Sequence, residues 1–337
     1  ELFTINYLFF FRIVLIYEKS MKIIILQILK NCIKINPIFT NKILDAMIPI
    51  IICKIFENDK NSFEERYECL KIFLTWLELN NSNFPIIFPQ AVVSLYKADD
   101  PFKIGCIEFL RLMSFIRPDL CSTVGGFKIL INSLIDESIN RDLINKILYT
   151  LIYLISNPNK RKYFNGIRDF NILFSIFTKS DFSSGVTNNT EEQTNQKKEE
   201  IKEETRKLEV QLNSAIYIIK KLLITWPGYF LLMNDALSLN SLPKALNNDV
   251  NNVIKKGILK LFKDILEYGY SILDNFNMVL SEDKDSFYIN KVYLAHIIQG
   301  LIDNNLNENL YKFIETNENN ELREFAIKLT IKFNILF

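Results

Sequence analysis

Residues 141–156 read RDLINKILYTLIYLIS, and the spacing of their apolar side chains decides the fold. These side chains recur at i, i+3, i+4, i+7, i+8 and i+11, the spacing of one face of an α-helix. They are Ile144, Ile147, Leu148, Leu151, Ile152 and Ile155. Leu154 adds an apolar side chain outside that face, and a helix that is apolar on several sides is buried between neighbours. The stretch therefore predicts a helix that is packed inside a helical assembly.

The same helical spacing recurs elsewhere in the chain. One copy consists of Ile254, Ile258, Leu261, Phe262, Ile265 and Leu266. The start of another consists of Cys106, Phe109, Leu110 and Met113. Prolines follow such segments at Pro37, Pro85, Pro118, Pro158 and Pro227, with gaps of 48, 33, 40 and 69 residues. Proline ends a helix because it lacks an amide donor and clashes with the preceding turn. The long gap contains a polar insertion, residues 180–207, and shortens to 41 residues without it.

This period is typical of armadillo and HEAT repeats, which run about 40 to 47 residues. We therefore predict an all-α fold, an α-solenoid of armadillo/HEAT-like repeats with a right-handed superhelix over residues 1–337; a single irregular helical bundle is the alternative. Because the sequence opens on Glu1 and stops inside an apolar pattern, we expect a longer chain. We predict that residues 180–207 form a disordered loop leading into a helix near Glu199. A docking or phosphorylation segment is the alternative there. Residues 281–286 are predicted to form a second, acidic loop.

Composition excludes several classes of protein. The 337 residues are 49% hydrophobic and 23% charged, with a formal net charge of +1. Nucleic-acid-binding domains are usually strongly basic, so we expect no nucleic-acid partner. Residues 2–17 are apolar but include Asn6 and Arg12, and they fall short of the roughly 20 apolar residues of a spanning helix. We therefore expect no transmembrane segment. Five cysteines without a CxxC pair predict buried, reduced thiols.

The sequence lacks the residue sets that catalysis or metal binding needs. His296 is the only histidine, so no histidine pair can hold a metal, and we interpret it as a helix-face residue with one hydrogen bond. Gly125 and Gly126 form the only glycine pair, without the further glycines and lysine of a phosphate loop. We interpret that pair as a turn that starts a helix. The expectation is no catalytic residue, no cofactor and no metal.

Basic clusters at residues 160–162, 220–221 and 255–256 lie 35 to 60 residues apart. On repeats of about 40 residues they would recur at repeat spacing and form a ridge for an anionic partner. Ordinary solvated helix surface is the alternative that we favour.

Residues 124–164 resemble the N-terminal armadillo-type region of the rictor (pianissimo) family. The pattern of that region is a glycine pair, an apolar helix ending in aspartate, a second helix, and then asparagine or histidine before proline, with a basic residue before an aromatic one. The matching residues are Gly125, Gly126, Asp136, Asn157, Pro158, Arg161 and Tyr163. The ordered resemblance covers about residues 40–337. Its other matching residues are Glu65, Arg66, Leu70 and Lys71, then Trp226, Gly228, Lys255, Lys256, Gly257 and Tyr293–Ala295. Lysine replaces arginine at 255 and 256, and the asparagine-rich insertion departs from the pattern.

The resemblance implies a non-catalytic scaffold subunit of the second target-of-rapamycin (TOR) kinase complex. Such a subunit holds the kinase and its substrate-recruiting companion together, and the complex directs phosphorylation of Akt-like AGC kinases and influences actin organisation, chemotaxis and growth. It also implies a cytoplasmic location, with peripheral membrane association through the complex. An unrelated armadillo/HEAT adaptor for transport or cytoskeletal assembly stays open as an alternative. So does an enzyme whose catalytic domain lies outside these residues.

Overall fold

The computed structural model describes residues 5–58, 62–79, 83–96, 100–164, 166–178, 191–223, 239–248, 250–274 and 296–336, with residues 225, 228 and 232. The secondary-structure elements of these residues are helices, so the predicted all-α fold class is confirmed. The chain divides into two compact units. Unit 1 comprises Glu1–Ser133 and Lys162–Phe164, and unit 2 comprises Leu134–Arg161 and Asn165–Phe337.

Unit 1 is built from nine helices in the described part of the chain. They are α1 (Ile5–Tyr17), α2 (Lys22–Ile35), α3 (Phe39–Asp45), α4 (Ile48–Glu57), α5 (Phe63–Glu78), α6 (Ile87–Ser94), α7 (Lys103–Ile116), α8 (Pro118–Thr123) and α9 (Gly126–Ser133). Helix α5 packs against α2, α4 and α7, while α9 packs against α7 and α6. Each helix thus covers the apolar face of the next, as stacked repeats require.

Aromatic side chains fill the centre of unit 1. The rings of Phe73 and Phe88 stack with centroids 4.2 Å apart, and Trp76 meets Phe88 edge-on at 5.4 Å. Phe56 approaches Phe73 edge-on at 5.1 Å. All four side chains are fully buried. Such pairs add about 0.5–1.5 kcal/mol each beyond the area they bury, so they fix the relative positions of α4, α5 and α6.

Unit 2 contains the second set of helices. They are α10 (Arg141–Ser156), α11 (Pro158–Arg161), α12 (Gly166–Ser175), α13 (Glu191–Leu223), α14 (Leu242–Ala245), α15 (Asn252–Asp274), α16 (residues 296–303), α17 (Leu306–Thr316) and α18 (Asn320–Leu336). Helix α15 packs between α13 and α18, and α17 packs against α14 and α18. The helical-repeat packing predicted from the sequence is therefore confirmed within each unit, whereas the right-handed superhelix and a single domain over residues 1–337 stay predictions.

The prolines mark the predicted ends of helices. Pro37, Pro118 and Pro158 follow α2, α7 and α10 within two residues, and Pro85 lies between α5 and α6. Pro118 and Pro158 also open the next short helix, since the first helical position needs no amide donor. Pro227 lies outside the described residues.

The polar insertion differs from the prediction where the structure describes it. Residues 191–207 are helical and form the first half of α13, so the helix begins eight residues before Glu199. The apolar face starts only at Leu208, which is why periodicity placed the helix start too late. Glu203 pairs with Arg206 and Lys207 at helical spacing, and such pairs support a polar helix. Residues 180–190, with Ser183, Ser184 and Thr187, and residues 281–286 lie outside the described residues.

Four of the five cysteines are buried and Cys32 is half-buried; all five are free thiols, as predicted. In the described part of the chain, we find no helix that combines the length and apolar character needed to cross a membrane.

Candidate functional site

The glycine pair forms the turn between α8 and α9. Gly125 has φ +75°, a left-handed conformation that favours glycine. A Cβ atom on Gly126 would lie 2.7 Å from the Cys121 Sγ and 3.2 Å from the Leu110 Cδ2. The Cys121 thiol in turn donates to the carbonyl oxygen of Leu110 at 3.8 Å. The pair therefore brings α8 and α9 against α7, and the interpretation as a helix-starting turn is confirmed.

The residues around Asn157 build the corner between α10 and α11. The Asn157 side-chain oxygen accepts from the backbone N–H of Asn159 at 3.0 Å, and its carbonyl accepts from the Arg161 N–H at 2.8 Å. Pro158 is the first residue of α11. The Arg161 Nε donates to the carbonyl of Ile155 at 2.6 Å, which satisfies an acceptor at the end of α10. These residues shape the junction between α10 and α11 inside unit 2.

Arg66, in the Glu-Arg stretch, lies in the interior of unit 1. Its guanidinium pairs with the Asp100 carboxylate at 3.0 Å, and its Nε donates to the carbonyl of Phe56 at 2.9 Å. The guanidinium carbon also lies 4.4 Å from the centroid of the Phe102 ring. Asp100 accepts from the backbone N–H of Phe102 at 2.8 Å. One side chain thus joins the end of α4, helix α5 and the turn before α7.

The start of α5 explains the glutamate of the same stretch. Ser62 accepts from the Glu65 N–H at 3.2 Å, and Glu65 accepts from the Ser62 N–H at 3.1 Å. This reciprocal capping box satisfies two amides that a helix start leaves without partners. Glu65 is therefore a helix-start residue, with its side chain turned back onto the backbone.

The predicted basic clusters contact neighbouring groups of their own unit. The Lys220 ammonium lies 3.6 Å from the Asp264 carboxylate, which joins α13 to α15. The Lys256 ammonium lies 2.8 Å from the Glu321 carboxylate, which joins α15 to α18 and raises the pKa of Lys256. The Lys160 ammonium lies 5.1 Å from the ring of Tyr153. This arrangement favours the interpretation as ordinary helix surface, and the ridge for an anionic partner stays an untested prediction.

Two further glycines of the family pattern lie among the described residues. Gly257 brings α15 close to α13, since a Cβ atom there would lie 3.4 Å from the Leu212 Cδ2. The Gly228 N–H donates to the Thr225 hydroxyl at 3.2 Å, and a Cβ atom would meet the Leu222 carbonyl oxygen at 2.2 Å. Trp226 and Tyr293–Ala295 lie outside the described residues.

The chemistry of the thiols and of the histidine shows no activated group. Burial raises the pKa of Cys53 and of Cys106 to about 12, and it also raises the pKa of Cys69 well above its ordinary value. Neutral, buried thiols are poor nucleophiles. His296 is exposed on α16. The described residues contain no group of three histidine, cysteine, aspartate or glutamate side chains that could hold a metal ion.

Comparison with known proteins agrees with the resemblance read from the sequence. The family described as "Rapamycin-insensitive companion of mTOR, N-term" matches residues 13–333. Protein pianissimo A of Dictyostelium discoideum is 30% identical over 146 residues, which cover 43% of this chain and 12% of the relative. Target of rapamycin complex 2 subunit ste20 of Schizosaccharomyces pombe is 31% identical over 166 residues, 49% and 12% of the two chains.

A third relative, target of rapamycin complex 2 subunit TSC11 of Saccharomyces cerevisiae, is 27% identical over 146 residues, 42% of this chain and 10% of the relative. The matched region therefore spans about a tenth of the length of these relatives. Because the family match extends over nearly all of the residues, including the glycine turn and the Asn157 corner, the chain belongs to the family of the N-terminal region of the rapamycin-insensitive companion of mTOR.

Proposed function

We propose that this chain is the scaffold region of a subunit of TOR complex 2, and that it helps to hold the kinase and a substrate-recruiting companion in one assembly. The observation that carries the proposal is the family match over residues 13–333. Two relatives, which are named as TOR complex 2 subunits, support it. Through the complex, the subunit would act in TOR signalling to Akt-like AGC kinases from the cytoplasm.

The packing within each unit suits a scaffold. Aromatic pairs lock α4, α5 and α6 of unit 1, and ion pairs join α15 to both of its neighbours in unit 2. The buried aromatic pairs hold their helices in place, so that the surface of unit 1 can offer partners a fixed shape, and a few buried apolar anchors would supply most of the binding energy. The role that we propose is non-catalytic, and the relatives named as subunits of a TOR complex support it.

The test is isolation of the tagged full-length protein from its source cells under mild lysis. We expect a TOR kinase and companion subunits to co-purify, and we expect the isolate to phosphorylate an AGC kinase. Deletion of residues 13–333 should abolish the co-purification.

Absence of a TOR kinase from the full-length isolate would refute the proposal, and recovery of transport or cytoskeletal proteins in its place would favour the adaptor alternative. Phosphotransfer by purified residues 1–337 alone would refute the non-catalytic role.

A further inference from the structure

Helices α1 and α4 of unit 1 border a groove with apolar walls and an unusual charge. Its volume is about 350 Å³, within the range of roughly 300–1,000 Å³ that is usual for ligand pockets. Buried Leu15 and Ile55 lie at its base, while Ile16, Met47 and Ile50 are exposed apolar residues along it. Exposed apolar side chains that meet in a concave surface are typical of a binding site.

Three cations line the groove, and none of the described residues that line it carries a carboxylate. They are Arg12 on α1, Lys22 at the start of α2 and Lys54 on α4. Among the described residues, none of the three has an acidic side chain within ion-pair distance. The groove is therefore positive as well as apolar.

Lys22 gives the strongest indication that the groove binds an anion. Only 8% of this residue is exposed, so its apolar stem is covered, and no acidic side chain among the described residues lies within ion-pair distance of its ammonium. It is also the first residue of the 14-residue helix α2, whose first turn contains no acidic residue. The N-terminal end of a helix carries a partial positive charge, so a lysine there is unfavourable and an anion is favourable. A carboxylate in the groove would satisfy both Lys22 and the helix end.

We propose that this groove binds an acidic, amphipathic peptide segment of a partner protein. Apolar side chains of the segment would pack on Ile16, Met47 and Ile50, and a carboxylate between them would pair with Lys22. Arg12 and Lys54 would contact further acidic residues at the sides. None of these groove residues was singled out as a partner-binding position by the sequence pattern. The inference goes beyond the proposed function, because the groove can be tested without a TOR kinase.

The shape and chemistry of the groove favour a peptide over other anions. Free phosphate would contact the cations but leave the apolar walls exposed to water. A membrane surface is broad, whereas the buried Lys22 lies in a concave site that a single side chain can enter. A peptide supplies apolar side chains and a carboxylate together, which matches the groove on both counts.

The experiment measures binding of a short fluorescein-labelled peptide of leucine and glutamate residues, spaced to form an amphipathic helix, by fluorescence anisotropy. The protein is the 337-residue chain at about 150 mM salt, where weak surface attractions are screened. The comparison peptide has glutamine in place of every glutamate. The variants are Lys22→Met, which keeps an unbranched apolar stem but removes the ammonium, and Lys54→Glu, which reverses the charge of an exposed residue. Lys34→Met is the matched control, because Lys34 is an exposed lysine of the same helix.

We expect the acidic peptide to bind, and we expect the affinity of the glutamine peptide to be at least about tenfold lower. A tenfold loss of affinity corresponds to the loss of one hydrogen bond to a charged group. Lys22→Met and Lys54→Glu should each weaken the acidic peptide by a similar factor, and Lys34→Met should not. Circular dichroism would show whether the Lys22→Met variant is folded. If it is not folded, the affinity of the Lys54→Glu variant for the acidic peptide tests the proposal.

Equal binding of the two peptides, or unchanged binding to a folded Lys22→Met and to Lys54→Glu, would overturn the proposal. So would no binding at about 1 mM peptide. Lys22-dependent binding of phosphatidylserine vesicles or inorganic phosphate without peptide binding would also overturn it, and would assign the groove to lipid or to phosphate.

Discussion

Replacing Arg66 with methionine should destabilise unit 1 by about 3–5 kcal/mol, the cost of breaking a buried ion pair from one side. The arginine and Asp100 side chains are 5% and 10% exposed, so the Asp100 carboxylate would lose its partner with little water around it. The Phe56 carbonyl would also lose the Nε donor at 2.9 Å, and it lies in the last turn of α4 where intrahelical donors are lacking. Methionine retains much of the apolar stem, so the loss comes mainly from charge and hydrogen bonding.

The assay is urea unfolding followed by tryptophan fluorescence in a Trp226→Phe background. Trp76 is then the only tryptophan, and it is fully buried in the core of unit 1. Its emission therefore reports the stability of the unit that contains the ion pair. Arg111→Met is the matched control, because Arg111 pairs with Glu108 one helical turn away and is more exposed. That replacement should cost about 0.5 kcal/mol.

A double variant separates the ion pair from the packing of the arginine. Adding Asp100→Asn to Arg66→Met removes the uncompensated charge but keeps an oxygen for the Phe102 N–H. The double variant should therefore lose at least about 1 kcal/mol less than the sum of the two single losses. A loss below about 1 kcal/mol for Arg66→Met alone, or strictly additive losses, would refute the role assigned to this pair.

Three further outcomes follow from the geometry. Gly125→Ala should lower the free energy of unfolding by about 1–2 kcal/mol, because alanine disfavours the left-handed φ. Gly126→Ala should lower it by about 1–3 kcal/mol, because the added Cβ atom has no space. Equal stability of both variants and the parent in urea would contradict this. Cys53 and Cys106 should react with iodoacetamide at about pH 8 only after unfolding, which mass spectrometry of the labelled peptides would measure. Because the pKa of both thiols is raised in the folded protein, they should contribute stability up to about pH 9, and this stability should be lost as the pH rises toward 12. Lys256→Gln should change the free energy of unfolding by about 0.5 kcal/mol or less, since both partners of its ion pair are exposed, and a larger loss that persists in high salt would contradict that.

Periodicity predicted the helices that are covered by neighbours. In α10, four of the six residues of the predicted face, Ile147, Leu148, Leu151 and Ile155, are buried, while Ile144 and Ile152 are half-buried; Leu154, which lies off that face, is buried as well. This agreement has a physical reason, because an apolar stripe at helical spacing has one way to leave water. The polar half of α13 has no such stripe, so its helix rests on local pairs that periodicity does not detect.

Sequence periodicity does not predict contacts between residues that are far apart in the chain. Arg66 and Asp100 are separated by 34 residues, and neither position is distinguished from an ordinary surface charge by its neighbours in sequence. Lys22 is likewise the first residue of a helix, and the apolar spacing of that helix does not predict which residues pack against the lysine. Burial of a charge depends on which helices meet, and only the folded structure shows that.

Several residues of the family pattern lie where backbone segments meet. Gly126 and Gly257 allow close helix approach, and Asn157 and Arg161 shape a corner. Such positions specify how repeats stack and are independent of the partner that the surface binds. None of these residues lines the groove around Lys22, and in the described part of the chain the cations of the groove form no ion pairs that join helices. Shape and partner recognition are therefore carried by different side chains, so a variant such as Lys54→Glu can remove a partner while the scaffold stays folded.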